Sequence, residues 1–314
     1  MVRSMYSGVS GLRTHQTRMD VIGNNIANVN TYGFKASRAT FRDIYYQTLQ
    51  GATAPGENNR NGGTSPNQVG YGVALNTIDK QMSQSGFAFT DNSLDVAIDG
   101  EGFIMLESAS GEKFYTRAGI LDIDANGNLV DGNGNFVLGN NSEINIDGAG
   151  TITTAPDDMI LNSGTAEKGK INILNGITCN PAVTVGDFKS ITISKTGEII
   201  GNIKKEIAQG PPAVFAEGIV KLGRISTAVF DNPKALNEAG SNYFTKSINS
   251  GEARAVIPGL AAGGAIVSGA LELSNVDLSK EFSDMITTQR GFQANSRIIT
   301  VSDQMLEELV NLKR

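Results

Sequence analysis

SNVDLSKEFSDMITTQRGFQANSRIITVSDQMLEELVNLKR, residues 274–314, holds no proline and a single glycine, Gly291. Alternating steps of four and three pick out Leu278, Phe282, Met285, Gln289, Phe292, Ser296, Ile299, Asp303, Leu306 and Val310, and seven of these ten are apolar. That spacing is the a/d seam of a helix built to lie along another helix. Asn275 or Asp277 can cap its start, and Lys313 and Arg314 place positive charge at the negative end of its dipole. At about 1.5 Å per residue the helix would reach roughly 60 Å.

The first residues of the chain repeat the device. Val2, Met5, Val9, Leu12, Gln16, Met19, Gly23 and Ile26 keep the three-four spacing, and six of the eight are apolar. Seams at opposite ends of one chain predict that the termini pair as a coiled coil. The surplus length of the second helix predicts that its remaining apolar surface meets helices of other subunits. Periodicity alone serves an ordinary two-helix packing inside one globular fold equally well. Asn24, Asn25, Asn28 and Asn30 mark where the first pattern ends, because asparagine favours caps and turns over helix interiors. A lone helix of this length is marginal in water, so both termini are expected to be mobile in the free monomer and helical once assembled.

Between the two seams the composition changes character. The chain has 37 glycines and 18% charged residues, which points to a turn-rich β protein and not to a helical enzyme. Its net charge is −6, and no cluster of basic residues offers phosphate a positive face, so nucleic acid is not an expected partner. The N-terminus lacks the continuous apolar core of about 7–15 residues that marks a secretory signal. The uncharged stretch Ala255–Leu271 is interrupted by Pro258, Gly259, Gly263, Gly264 and Gly269, and reads as a glycine-rich loop entering a strand at Ala265–Leu273, not as a membrane span. One cysteine, Cys179, leaves no internal disulfide and no cysteine zinc cage.

Taken in order, Thr31–Leu49 reads as an extended arm followed by a short helix. Gln50–Gln68, poor in apolar residues and rich in Gly, Pro and Asn, reads by itself as a disordered linker. From Gly70 to Gly139 short strands alternate with turns: GVALNTIDKQ, LDVAID, GFIMLE, EKFYTRAG and NLVDGNGNFVLG. Asn126–Gly127 predicts a two-residue hairpin with positive φ at both central positions. Residues 141–213 continue in short Thr-, Ile- and Val-rich strands, and Pro211–Pro212 marks the return from an inserted segment.

No constellation predicts catalysis, a cofactor or a metal. Asp122, Asp124, Asn126, Gly127 and Asn128 mimic the first half of an EF-hand loop, but its twelfth position is Asn133 where a bidentate glutamate is needed. His15, the one histidine, has no carboxylate three or four residues away, and is expected at a surface or interface. Gly100–Glu101–Gly102 lacks the third glycine of a dinucleotide fingerprint. Glu307–Glu308 lies on a helix surface. A β-scaffold hydrolase would need converging carboxylates, and an adhesin on a coiled-coil stalk would not form tubes; both stay as remote alternatives.

Residue identity is more specific than periodicity. Ser7–Lys35 (SGVSGLRTHQTRMDVIGNNIANVNTYGFK) and Ser274–Leu306 resemble the paired terminal signatures of the bacterial flagellar axial proteins, the rod and hook family. DVAIDGEGFIMLE (Asp95–Glu107), FYTRAGILDIDANGNLVDGNG (Phe114–Gly134) and Gly218–Gly251 resemble that family's β-rich inner domain, while 141–213 resemble it least, apart from SITISKTGEIIGNI (Ser190–Ile203). GGTSPNQVGYGV (Gly62–Val73) and ELSNVDLSKEF (Glu272–Phe282) are most similar to the hook members.

The resemblance implies an α+β fold with paired N- and C-terminal coiled-coil helices and nested, discontinuous all-β outer domains. It assigns 1–30 with 274–314 to the coiled-coil core, 31–69 to a connector arm, 70–140 with 214–273 to an inner β domain, and 141–213 to an inserted outer β domain. The implied function is a structural subunit that self-assembles into the hook, a flexible tube joining rod to filament in motility, with a distal rod subunit as the alternative. The implied partners are further copies of the chain, neighbouring rod and hook–filament junction proteins, and the cap and export machinery, without nucleic acid or membrane insertion. The chain would leave the cell by the flagellum's own type III route, without a cleaved signal, to the hook or basal body, extracellular or periplasmic according to cell type. The assembly interface is expected at Val2, Met5, Val9, Leu12, Met19, Ile26, Leu278, Phe282, Met285, Phe292, Ile299, Leu306 and Val310. In some hook proteins a cysteine and a lysine of neighbouring subunits become joined, which makes Cys179, with Lys168 and Lys170 nearby, a candidate cross-link.

Overall fold

The computed structural model describes residues 2–54, 62–141, 144–146, 152–154, 169–174, 177–178, 185–208, 214–259 and 263–312. Two long helices stand at the ends of the chain, α1 (Val2–Ala27) and α2 (Leu278–Asn311), and the described residues between them are mostly strand. The fold is therefore α+β. Two compact units divide the chain: Met1–Val29, Lys35–Gln81 and Val276–Arg314 form one, and Asn30–Phe34 with Met82–Asn275 form the other.

The first unit holds both helices and two antiparallel strand pairs, one nested within the other in sequence. β1 (Ser37–Asp43) pairs antiparallel with β4 (Val73–Lys80), and β2 (Tyr46–Gln50) pairs antiparallel with β3 (Asn67–Gly70). No helix follows the arm. The aromatic and β-branched residues from Thr40 to Tyr46, which suggested a short helix, instead suit a pleated surface. The Thr40 and Thr77 hydroxyls meet across the ladder at 2.6 Å, and Arg38 Nη2 pairs with Asp79 Oδ2 at 2.8 Å. Part of the expected linker is ordered too, since Thr53 bridges Thr64 beyond the β2–β3 hairpin.

The second unit is built of short strands. Its first part contributes β5 (Phe87–Phe89), β6 (Val96–Asp99), β7 (Phe103–Glu107), β8 (Lys113–Thr116), β9 (Leu121–Ile123), β10 (Leu129–Asp131) and β11 (Phe136–Asn141). The middle supplies β12 (Ile144–Ile146), β13 (Ile152–Thr154), β14 (Gly169–Lys170), β15 (Ile177–Thr178), β16 (Phe188–Ile193) and β17 (Glu198–Ala208). The return supplies β18 (Val214–Ile225), β19 (Thr227–Val229), β20 (Asn237–Gly240), β21 (Tyr243–Thr245), β22 (Arg254–Val256), β23 (Ala265–Ser268) and β24 (Ala270–Glu272). The main sheet runs β16-β17-β18-β11-β7-β8-β21-β20. The strand expected over 265–273 is two strands broken at Gly269, one pairing with β6 and the other with β5.

β7 shows how this unit is packed. Ile104 and Leu106 point into one core with Val96, Leu129, Val220 and Ile266, whereas Phe103 and Met105 point into another with Tyr115, Phe230 and Phe244. A strand covered on both faces has no polar alternation, which is why GFIMLE reads as a continuous apolar run. In the second core Phe103 meets Phe244 at 5.6 Å and Tyr115 meets Phe230 at 4.8 Å, both edge to face.

One turn differs from expectation. At Asn126–Gly127 only Gly127 has positive φ, +79°, because the connection is the longer loop Asp124–Asn128, closed by Gly127 N–H to Asp124 O at 2.8 Å. This is a type I turn followed by a left-handed glycine, the next commonest hairpin after the two-residue kind. The EF-hand mimic is that turn: Asp124 Oδ1 accepts from the Ala125 N–H, and among the described residues no group of His, Cys, Asp and Glu is placed to hold a metal. No described helix is long and apolar enough to cross a membrane.

Candidate assembly interface

α1 and α2 run antiparallel and share a seam. From one end to the other Ser4 Oγ lies 3.5 Å from Ser302 Oγ, Gly8 faces Ile299, Gly11 faces Asn295, His15 faces Gly291, Arg18 Nη2 pairs with Asp284 Oδ1 at 3.1 Å, and Asn25 Nδ2 donates to Glu281 Oε1 at 3.2 Å. The α1 positions 4, 8, 11, 15, 18, 22 and 25 keep the three-four spacing of a coiled coil. They are one residue out of step with the apolar stripe.

Small residues explain the choice of face. A side chain on Gly8 would come within 3.3 Å of Ile299, and one on Gly11 would overlap the Asn295 amide. Close backbone approach of this kind needs glycine, and gains contacts along the whole seam. Ser4, Arg18 and Asn25 are then each paired with a polar residue of α2. Asn25, buried, also donates to Ser37 O at 2.8 Å and accepts from Ser37 N at 2.9 Å, which ties the end of α1 to the start of β1. Ser10 Oγ accepts from Val73 N at 3.3 Å.

His15 sits in the middle of this seam. Its ring meets Phe41 edge-on at 6.0 Å, and its Nδ1 is buried with no hydrogen-bond partner among the described residues. Burial, and after it the charge of Arg18, holds the imidazole below its usual pKa. Glu281 shifts upward, chiefly because burial disfavours its charged form. At the start of α2, Asp277 is the cap: its Oδ1 accepts from Ser279 N at 2.9 Å and Lys280 N at 3.3 Å.

Most of the expected interface residues fall beside this seam; Ile299, opposite Gly8, lies in it. On α1, Met5, Leu12, Met19 and Ile26 are half-buried and Val9 is exposed, while the side chain of Val2 lies outside the described residues. On α2, Met285, Phe292, Ile299 and Leu306 are half-buried. Leu278, Phe282 and Val310 are exposed at 38%, 50% and 68%. The alternate positions Gln289, Ser296 and Asp303 are not the ones that turn inward; Thr288, Asn295 and Ser302 are. Counting apolar residues misses this face. The signal that finds it is Ser4, Gly8 and Gly11 at steps of four and three, followed by Asn25.

Cys179 and Lys168 lie outside the described residues. Lys170 Nζ is engaged with Glu107 Oε1 at 3.4 Å and stands 4.4 Å from the Phe136 ring centre.

Three family models match the chain: Flagella basal body rod protein over residues 5–35, Flagellar hook protein FlgE/F/G D1 domain over 97–201, and Flagellar basal body rod FlgEFG protein C-terminal over 267–312. The chain is similar to the flagellar basal-body rod protein FlgG of Bacillus subtilis, 42% identical over 316 residues that cover the whole of both chains. It is similar to the FlgG of Borreliella burgdorferi at 34% over 316 residues, again covering both chains completely. To the flagellar hook protein FlgE of Borreliella burgdorferi it is 32% identical, over an alignment of 444 residues that covers all of each.

Proposed function

Because this chain belongs to the flagellar rod and hook protein family, a family of structural proteins of the flagellar basal body and hook and not of enzymes, we propose that it is a distal rod subunit. One observation carries the choice. The rod relatives align with its 314 residues over 316 positions, whereas the hook relative needs 444. The rod alignments thus run almost without gaps, whereas the hook alignment must pass over many positions that this chain does not match.

In this reading the chain completes its fold only in a polymer. The exposed apolar residues of α1 and α2, Val9, Leu278, Phe282 and Val310 among them, are covered by the helices of neighbouring copies, at about 25 cal/mol per Å² of apolar surface before ordering costs. A head-to-tail contact that does not close on itself generates a helical tube from one kind of subunit. Residues 141–213 form an insertion in a β domain of 70–140 and 214–273. Supporting that division, the chain leaves β11 at Asn141 and returns in β18 with Gly223 opposite it. Its further partners are adjoining rod and hook–filament junction proteins, cap and export proteins, and its route out of the cell is the flagellar type III channel.

A second reading, the hook subunit, is favoured by the Gly62–Val73 and Glu272–Phe282 stretches. Electron microscopy of tubes grown from the purified chain separates the two: straight, stiff tubes support the rod, and curved tubes support the hook. Deleting 1–30 and 274–314 should abolish tubes in either case, and tubes that still form would refute self-assembly through the terminal helices.

A further inference from the structure

A groove of about 590 Å³ opens in the first unit between α1 and the strands that follow it. Tyr6, Val9 and Arg13 form the α1 wall, and Tyr45, Tyr71 and Leu75 stand opposite. Tyr45 stacks on Tyr71 at 4.6 Å between ring centres, and the Arg3 guanidinium lies 5.7 Å from the centre of the Tyr71 ring. The groove is thus aromatic with a basic margin. On a repeat of 3.6 residues its wall lies on the side of α1 turned away from Gly8, Gly11 and His15, so α2 of the same chain, seated on those residues, does not fill it.

α2 carries the complementary ridge. Ile298, Val301, Met305, Leu309 and Leu312 follow one another at steps of three and four, and all five are exposed. Ser302 faces Ser4, so the segment 303–312 runs on past the start of α1 at Val2 and has no partner helix among the described residues of its own chain. That segment contains Asp303, Glu307 and Glu308 and no basic residue, the opposite sign to Arg13 and Arg3. Neither Arg13 nor Glu308 makes an ion pair among the described residues. The lengths agree as well: Tyr6 to Arg13 and Met305 to Leu312 each span two helical turns, about 10.5 Å.

We propose that the groove of one copy receives the 303–312 segment of α2 from a second copy. Met305, Leu309 and Leu312 pack on the aromatic wall, and Glu308 lies toward Arg13, a helix-in-groove contact. This contact rests on the self-assembly reading above and names the pair of surfaces that would join two copies.

The test mixes two single-cysteine chains, both with Cys179→Ser, one carrying Val9→Cys with an affinity tag and the other Met305→Cys without one. After concentration and mild oxidation, the expected product is a disulfide-linked dimer containing one chain of each kind. Arg13→Glu and Glu308→Arg should each raise the concentration needed for tubes by about tenfold, and the two together should restore it. Tubes without the mixed dimer overturn the groove contact and leave the rod reading standing. No tubes and no mixed dimer sink both.

Discussion

His15 packs so closely on Gly291 of the facing helix that a Cβ at residue 291 would lie 2.9 Å from two atoms of the imidazole, Cε1 and Nε2. The ring cannot easily withdraw, because Phe41 stands at its edge. In an exposed helix, replacing glycine by alanine stabilises by about 1 kcal/mol. Here Gly291→Ala is expected to destabilise the helix pair by about 1–3 kcal/mol through overpacking. Thermal melting followed by circular dichroism checks the sign, and a higher midpoint in the variant would contradict the seam described above.

The same histidine makes the helix pair sensitive to acid. Its folded-state pKa lies below the ordinary 6.5 because of burial and then Arg18, so the unfolded chain takes up the proton first. Stability is complete above the ordinary value and falls as pH drops below it, until the folded form also protonates. Glu281 acts in the opposite direction at lower pH, since its raised pKa favours the folded chain once it is protonated. Between about pH 7.5 and about pH 6 the unfolding midpoint of the wild type should therefore decline, and His15→Gln should flatten that slope.

In the second unit Arg117 Nη1 and Glu272 Oε2 form an ion pair at 3.2 Å with both side chains almost fully buried, 6% and 0% exposed. Arg117 Nη2 also donates to Gly100 O at 2.8 Å, and Glu272 Oε1 accepts from Ser85 N at 3.3 Å. Removing one partner leaves a buried charge uncompensated. Arg117→Met is expected to destabilise this unit by about 3–5 kcal/mol, and adding Glu272→Gln should recover part of the loss. Denaturant titration of both variants measures it; equal stability of single and double variants would show that the pair is not coupled.

Gly127 meets two constraints at once. Its φ is +79°, and a Cβ there would lie 2.6 Å from Leu174 Cγ. Gly127→Ala should destabilise by about 1–3 kcal/mol, more than the positive φ alone would give. Shaving the neighbour as well, in Gly127→Ala with Leu174→Ala, should not restore stability, because Leu174 packs against the main core of that unit.

The terminal helices were legible in the sequence, since three-four periodicity over residues 274–314 and 2–26 contains no competing pattern. The short strands from Gly70 to Gly139 were legible as well, because apolar runs alternate with glycine and asparagine turns. The family was legible in longer signatures such as NNIANVNTYGFK and SNVDLSKEF. Residues from Thr40 to Tyr46 were not, because an aromatic-rich run suits a helix or a strand until a partner strand, here Val73–Lys80 for β1, supplies the missing ladder.

The face by which the two helices meet is what only tertiary structure decided. A pattern of apolar residues reports where water is unwelcome, but not which neighbour excludes it. Ser4, Gly8, Gly11 and Asn25 lose no packing by facing α2, since their small size or paired hydrogen bonds let the backbones approach. Sequence by itself determined that these ends are helices with greasy surface to cover. The three-dimensional fold decided that the chain covers little of it alone, because close contact between backbones favours the small residues and leaves larger ones such as Phe282, Met305 and Leu309 facing outward.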